Sequence, residues 1–408
     1  YDVSSGKGTD ASGGVSYWGS FTAKSMRDEY GNLPFSMSAQ HKGVSDFTRI
    51  NPAYFKSLDR KMNYLSAQGF VPLLETVRRD VGPSWNAYFN FNETFARYMQ
   101  YIVARYGANN LLFSGIHLDW IPKDFSLTAA QFNEALTYHL KKYGPPPFNQ
   151  PVTTLIDRST YEAFGHGDKV PWLNMHSVGN KPRDHRVRET LETEFKLTPA
   201  YPTINFEPYY TGWLHSINKP AGEEPPANSA RDNYFARAQM YGSVLSGGLS
   251  GHVHGTAAYD ITTTGEPAGA RPHFWDAMNY ESANYMQHLN NFVQSEGKRY
   301  QNLLLASDQI FPRKAAGSPE DGLDGWSYMM RTAEKDLALL YFENKSEVPK
   351  LKGFIPGKTY ILKWFDPMTG KWEKPLTLRA DDEGTLNLQS FPQHESVASR
   401  DWAAKISL

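Results

Sequence analysis

The sequence predicts an α/β fold: a (β/α)8 TIM-like barrel over residues 1–299, its first two strands lacking or irregular, and a C-terminal antiparallel β-sandwich over residues 300–408. Three observations lead there. Helical patterns alternate with short continuous apolar runs, the mark of strands buried on both faces of a parallel sheet. After about Tyr300 the texture changes to short strands divided by turn residues. Two carboxylates, Asp119 and Glu207, stand at the carboxyl ends of two candidate strands, the rim where barrel residues carry chemistry.

Tyr1–Lys24 is rich in Gly, Ser and Asp, shows no helical period and reads as irregular. Val15–Thr22 and Leu33–Gln40 are the candidates for the first two strands, but only about a dozen residues separate them, too few for a crossover helix. From Asn51 the pattern sharpens. Asn51-Pro52 precedes Tyr54, Phe55, Leu58, Met62 and Leu65 at helical spacing, Gly69 ends the helix, and Phe70–Leu74 follows as a strand. The unit recurs as Phe95–Tyr106 into Leu111–Trp120 and as Thr128–Tyr143 into Val152–Ile156. Trp172–Val178, Pro202–Phe206 and Gly247–His254 bring the strands to about six, where a closed barrel needs eight. Beyond Tyr300, Trp326–Arg331, Asp336–Phe342, Thr359–Phe365 and Leu376–Leu378 read as strands, with turns at Pro356-Gly357 and Thr369-Gly370. Trp364, Phe365 and Trp372 belong to the core or interface of this part.

Composition narrows the function. With 42 basic and 43 acidic residues among 408 and no long single-sign run, neither a nucleic-acid tract nor a polybasic membrane patch is supported. The absence of cysteine excludes disulfides, thiolate catalysis and cysteine metal sites, and leaves the redox compartment open. No apolar run reaches transmembrane length and no signal peptide opens the chain; its start at Tyr1 indicates that something was removed or never included. Aromatic residues make up 14%, enough for stacking surfaces that fit the apolar faces of sugar rings.

The expected partner is therefore a carbohydrate, with no cofactor required. A carboxylate on each of two strand ends is what hydrolysis of a sugar bond needs, one as proton donor and one as nucleophile or base. Asp119 also suits a helix cap, and Glu207 a structural pair with Arg78 or Arg79. Tyr209, Tyr210 and His176 are candidates to keep Glu207 ionised by hydrogen bonding. His252 and His254 alternate on a candidate strand and face one side, a spacing that suits sugar contacts or zinc, although no third ligand is evident. Arg78, Arg79 and Trp85 follow an apolar strand, where the arginines either clamp an anion or form a salt-bridged pair. His117, Asp157 and His176 sit at strand ends as ligand contacts; Trp213, His215 and Trp275 either stack on the sugar or pack.

Asn51–Phe55 (NPAYF), Ala104–Ala108 (ARYGA), Ile204–Tyr210 (INFEPYY), Arg237–Gly255 (RAQMYGSVLSGGLSGHVHG) and Trp364–Gly370 (WFDPMTG) together resemble the apiosidase-like glycoside hydrolases, family 140 and its relatives, with their C-terminal collagen-binding-type β domain. The resemblance implies a clan A barrel that hydrolyses with retention, Asp119 falling at the acid/base position after strand 4 and Glu207 at the nucleophile position after strand 7. It also implies sugar-hydroxyl contacts, with no metal, for His252 and His254. In that family the NPAYF-like segment follows the second barrel strand, and many clan A enzymes carry Asn-Glu where this chain has the shorter Leu118-Asp119. The activity implied is exo-cleavage of a terminal sugar from a plant or algal cell-wall glycan by an extracellular or periplasmic bacterial enzyme. The loop Lys219–Ala230 would wall the pocket on one side. The alternatives are a non-catalytic carbohydrate-binding protein and an inactive fragment of such a hydrolase.

Overall fold

The computed structural model describes residues 8–9, 15–16, 28–41, 44–77, 83–118, 127–179, 185–212, 225–256, 274–314 and 322–408. The chain divides into two units, Tyr1–Ser177 and Val178–Leu408. The first opens with an antiparallel pair, β1 (Gly8–Thr9) and β2 (Val15–Ser16), followed by a second, β3 (Phe35–Met37) and β4 (Ser45–Ile50). The strand expected over Leu33–Gln40 is thus one arm of a hairpin. Its turn is closed by the Ser38 hydroxyl, which accepts from the Gln40 and His41 amides, and its partner β4 ends where NPAYF begins.

Helix α1 (Pro52–Ala67) starts where Asn51 caps it, the side chain accepting from Ala53 N at 3.1 Å with Pro52 in the first turn. After it come β5 (Leu73–Glu75), α2 (Pro83–Tyr88), α3 (Phe91–Tyr106), β6 (Leu112–Leu118), α4 (Ala129–Tyr143), β7 (Val152–Ile156) and α5 (Thr160–Phe164). Asn90 caps α3, and a reciprocal Thr128–Gln131 box caps α4. Strands β5, β6 and β7 pair in parallel, Leu73 beside Leu112 and Phe113 beside Val152. Phe70 and Val71 are 59% and 51% exposed, against the expectation of a buried strand from Phe70. Gly69, at φ +80°, turns the chain out of α1, and pairing begins only where Pro72 O accepts from Leu112 N. Likewise Trp172 lies in a turn, its Nε1 donating to Asn133 at 2.7 Å, and only β8 (His176–Val178) is strand.

The second unit continues through α6 (His185–Phe195), β9 (Thr203–Asn205), β10 (Tyr210–Thr211), α7 (Ala230–Val244), β11 (Gly255–Thr256), α8 (Phe274–Ala277) and α9 (Ser282–Val293). The expected strand Pro202–Phe206 is paired only as β9, with a break before β10, and Gly247–His254 is mostly irregular, because Gly247 and Gly251 adopt φ +109° and +127°. Pairing resumes in parallel, by a bridge between Asn205 and His252 and by Tyr210 beside Gly255.

An antiparallel assembly follows: β12 (Leu303–Leu305), β13 (Ile310–Phe311), β14 (Ser327–Thr332), β15 (Leu337–Phe342), β16 (Lys350–Leu351), β17 (Thr359–Asp366), β18 (Lys371–Trp372), β19 (Leu376–Arg379), β20 (Leu386–Asn387) and β21 (Trp402–Ser407). Seven strands form one sheet in the order β12-β14-β15-β21-β17-β18, with β19 also on β17; β13, β16 and β20 form another. Alternation along β15 and β17 sends Leu340, Phe342, Leu362 and Trp364 into a core shared with Ile310, Leu351 and Leu386 of the small sheet. The intervening Leu339, Tyr341 and Phe365 face the other way, into a core with Phe235 and Tyr241 of α7 and Phe292 of α9.

Helix α7 is therefore covered all round: every residue from Asp232 to Val244 is buried. Arg237 projects from it to Asp401, with Nε to Oδ2 at 2.9 Å and Nη2 to Oδ1 at 2.8 Å, and the Tyr341 hydroxyl donates to Asp401 Oδ2 at 3.0 Å. A second buried pair joins Arg188 of α6 to Glu343, 3.1 Å away. Gly242 makes room for it, since a Cβ there would collide with Arg188 Nε. At the helix start Arg231 grips Asp324 with two bonds of 2.8 and 2.9 Å. Among the described residues no helix is long and apolar enough to cross a membrane. Removing one partner of a buried pair strands the other charge, so Asp401→Ala should lower the unfolding free energy by about 3–5 kcal/mol. Urea denaturation checks this; a loss under about 1 kcal/mol would make the pair a bystander.

Candidate active site

Glu207 lies in the break between β9 and β10, and the neighbouring chain holds it there. Asn205, the last residue of β9, accepts from Glu207 N through Oδ1 at 3.2 Å and donates through Nδ2 to Ser243 Oγ of α7 at 3.1 Å. Phe206 N donates to Val178 O at 3.0 Å, which pins the residue before it. The carboxylate is half-buried, and the Tyr210 hydroxyl donates to Oε1 at 2.9 Å. The Tyr210 ring lies on Gly255, where a Cβ would collide with it; the second strand of the parallel pair thus lacks a side chain where that tyrosine needs the space.

Tyr209 turns the other way. Its hydroxyl donates to Asp232 Oδ1 at 2.6 Å, an oxygen that also accepts from Gly212 N at 3.1 Å, while Asp232 Oδ2 accepts from Asn228 N at 2.7 Å. Burial pushes the Asp232 carboxyl up, and these donors oppose the shift. Asp232 therefore ties the loop after Glu207 to the first turn of α7, and Tyr209, expected as a donor to Glu207, is part of that tie. Asn205 and Asp232 escaped the sequence reasoning because their partners lie 38 and 23 residues away.

His252 and His254 precede β11. Burial holds both imidazoles below their ordinary value, His252 at about 3 with His254 adding to the effect, so both rings are neutral near pH 7. His252 Nδ1 and His254 Nε2 are buried without a hydrogen-bond partner among the described residues. Neutral rings suit either hydroxyl contacts or metal binding, but no group of three metal-ligating side chains gathers among the described residues.

In the first unit, Glu75 ends β5 and meets His117 of β6, whose Nδ1 lies 2.8 Å from Oε1 and 2.9 Å from Oε2. Glu75 was missed, although an acidic residue closing the apolar run Phe70–Leu74 is the same signal that singled out Glu207. Asp157 follows β7, half-buried, its amide donating to Leu118 O at 3.2 Å. His176 is fully buried; Nδ1 lies 2.8 Å from Thr160 Oγ1 and Nε2 lies 2.9 Å from His166 Nδ1. Both ring nitrogens are thus engaged within the protein, which corrects the expectation of a direct ligand contact. Trp85 is corrected too: it is fully buried, stacked on Phe47 at 4.1 Å, with Nε1 donating to Thr94 Oγ1 at 2.7 Å. Trp275 is 45% exposed on α8, with Phe274 edge-on at 5.1 Å. Asp119, Arg78, Arg79, Trp213 and His215 lie outside the described residues, as does the first half of the loop, Lys219–Glu224.

The pattern of the family described as Apiosidase-like, catalytic domain, matches residues 20–298. No protein of curated function matches the chain. Among solved structures, one described as a glycoside hydrolase superposes with a TM-score of 0.66 at 14% identity, over 98% of this chain and 83% of that one. A glycoside hydrolase family 5 structure from Bacteroides vulgatus gives 0.64 at 14% identity, over 98% and 80%. At such identity the likeness is one of fold.

His176, held near 4 by burial with His166 adding to the effect, titrates near its ordinary 6.5 once unfolded. The unfolded chain then binds a proton that the folded one refuses, so this contribution to stability is intact above pH 6.5 and declines as pH falls toward 4. The slope should approach about 1.4 kcal/mol per pH unit for this group, and His176→Asn should flatten it. Chemical denaturation between those limits measures the difference; equal slopes would show that His176 is not held neutral.

Proposed function

The chain belongs to the family of apiosidase-like catalytic domains and is a glycosidase, and on that premise we propose that it is a retaining, exo-acting glycoside hydrolase with Glu207 as nucleophile and Asp119 as general acid/base. The observation that carries this reading is Glu207 itself: a carboxylate in a break between parallel-paired strands, one oxygen held by Tyr210 and its amide by Asn205. The parallel pairs β5-β6-β7 and β10-β11 are read as parts of a (β/α)8 barrel ending near residue 299, with β4 in the place of its second strand and the two antiparallel sheets as a C-terminal sandwich.

In this mechanism Asp119 gives its proton to the leaving oxygen while Glu207 attacks the anomeric carbon, forming a glycosyl ester as the leaving group departs. Asp119 then takes a proton from water, which attacks the same carbon and releases Glu207, so that configuration is retained. Tyr210 holds Oε1, which orients the other oxygen for attack. Neutral His252 and His254 exchange hydrogen bonds with sugar hydroxyls, Asp157, His117 and Arg78 with Arg79 line the rim, and Trp213 and Trp275 offer stacking surfaces. The substrate is a terminal sugar of a plant or algal cell-wall glycan, met outside the bacterial cell or in the periplasm.

Glu207→Gln should cut turnover by at least about a thousandfold with binding kept, because neutral Gln cannot form the ester. Unchanged turnover would sink the assignment. Tyr210→Phe, which removes a hydrogen bond to a charged group, should cost about 10–100-fold in kcat with the fold intact. NMR of the first-formed product anomer tests stereochemistry: inversion would mean that Glu207 acts as a base.

A further inference from the structure

The turn Pro367–Gly370, part of the WFDPMTG motif, is left without a role by the chemistry at Glu207, yet it is built against a helix of the catalytic part. Asp366 shapes it, accepting from Met368 N and Thr369 Oγ1, each at 2.9 Å. His288 of α9 lies on Gly370, where a Cβ would stand 2.6 Å from its ring, and meets Pro367 O through Nδ1 at 3.0 Å. A carbonyl oxygen only accepts, so Nδ1 carries a proton and donates it to Pro367.

Between this turn and α9 lies a cavity of about 500 Å³, within the size range of small-molecule sites. Its lining includes Glu281, Asn284, Tyr285, Gln287, His288 and Thr369. Asn284 and Gln287 are exposed; Gln287 donates through Nε2 to Asn291 at 2.8 Å, which leaves Oε1 as an acceptor. Tyr285 is fixed from both sides, Arg237 lying 4.7 Å from its ring centre and its hydroxyl donating to Glu281 at 3.1 Å. Amides, a carboxylate and an imidazole are groups that recognise vicinal hydroxyls. A carboxylate with no lysine or arginine among the described residues of the lining disfavours an anionic guest.

The cavity also adjoins the chain that carries Glu207. Gly212, two residues past Tyr210, lies under the Tyr280 ring, where a Cβ would come within 2.8 Å, and Glu281 follows Tyr280 with its amide on Asn228 Oδ1 at 3.2 Å. We propose that this cavity, between α9 and the turn joining β17 to β18, is a second carbohydrate-binding pocket, taking a neutral sugar unit of the glycan whose terminal residue is cleaved. The proposal deepens the glycosidase reading and rests on it: the substrate is then a chain long enough to reach a second site, and trimming is processive or polymer-directed in place of action on small glycosides.

Native gels containing soluble arabinoxylan, galactomannan or pectin test it with the full chain carrying Glu207→Gln, which separates binding from turnover. Retardation is expected in at least one neutral gel, and adding Asn284→Ala and Gln287→Ala should weaken the apparent affinity at least fivefold with the thermal midpoint unchanged. Undiminished retardation, none in any gel, or binding confined to anionic pectin overturns the pocket. If the substitutions lower the midpoint, Gln287→Glu, which adds charge without a cavity, replaces them, with the same outcomes read. Failure of Glu207 as nucleophile would appear separately, as residual hydrolysis by the parent variant.

Discussion

The buried pairing of Arg237 with Asp401 is the constraint on which the second unit turns. A guanidinium and a carboxylate, each almost wholly shut off from water, are tolerable only when two matched hydrogen bonds and a tyrosine donor replace the lost hydration. That geometry fixes α7 against the seven-stranded sheet, and α7 in turn fixes both ends of the Glu207 segment, through Ser243 on Asn205 and Asp232 on the following loop. Arg188 and Glu343 repeat the device from α6, where burial pushes the Glu343 carboxyl up and the arginine opposes it. The RAQMYGSVLSGG motif is thus chiefly a scaffold, its arginine, glycine and serine each serving a contact made elsewhere in the chain.

The fold was legible where local and global signals agree. Helices α1 and α4 carry capping residues at Asn51 and Thr128 ahead of apolar positions at helical spacing, so their starts follow from hydrogen-bond needs, whereas α3 begins at Phe91 behind its Asn90 cap, ahead of the expected Phe95. Strand limits were less legible. An apolar run does not say where pairing stops: Pro202–Phe206 pairs only over Thr203–Asn205, and Glu207 follows in a break that no hydrophobic pattern encodes. Strand β4, Ser-Asp-Phe-Thr-Arg-Ile, was invisible because its inward Phe47 is flanked by charged and polar residues that read as loop.

The candidate site was legible by its charge and obscure in its supports. A carboxylate inside an apolar strand demands a partner, which drew attention to Glu207, and Tyr210 is only three residues on. Trp85 misled because an aromatic residue after a strand reads equally as platform or core, and only the stack on Phe47 decides between them. His176 misled in the same way, its ring being enclosed by Thr160 and His166. Such choices depend on neighbours far off in the chain, which periodicity does not report.

Covering α7 with a β-sheet has an implication for how this enzyme can diversify. A helix with one apolar stripe can lose a neighbouring module and keep its solubility, whereas one enclosed on every side would meet solvent with bare phenylalanine, tyrosine and methionine surface and an orphaned cation. The C-terminal sheets are therefore not an interchangeable cassette: shuffling them among relatives demands that helix and sheet change together, and inheritance should keep the two as one block.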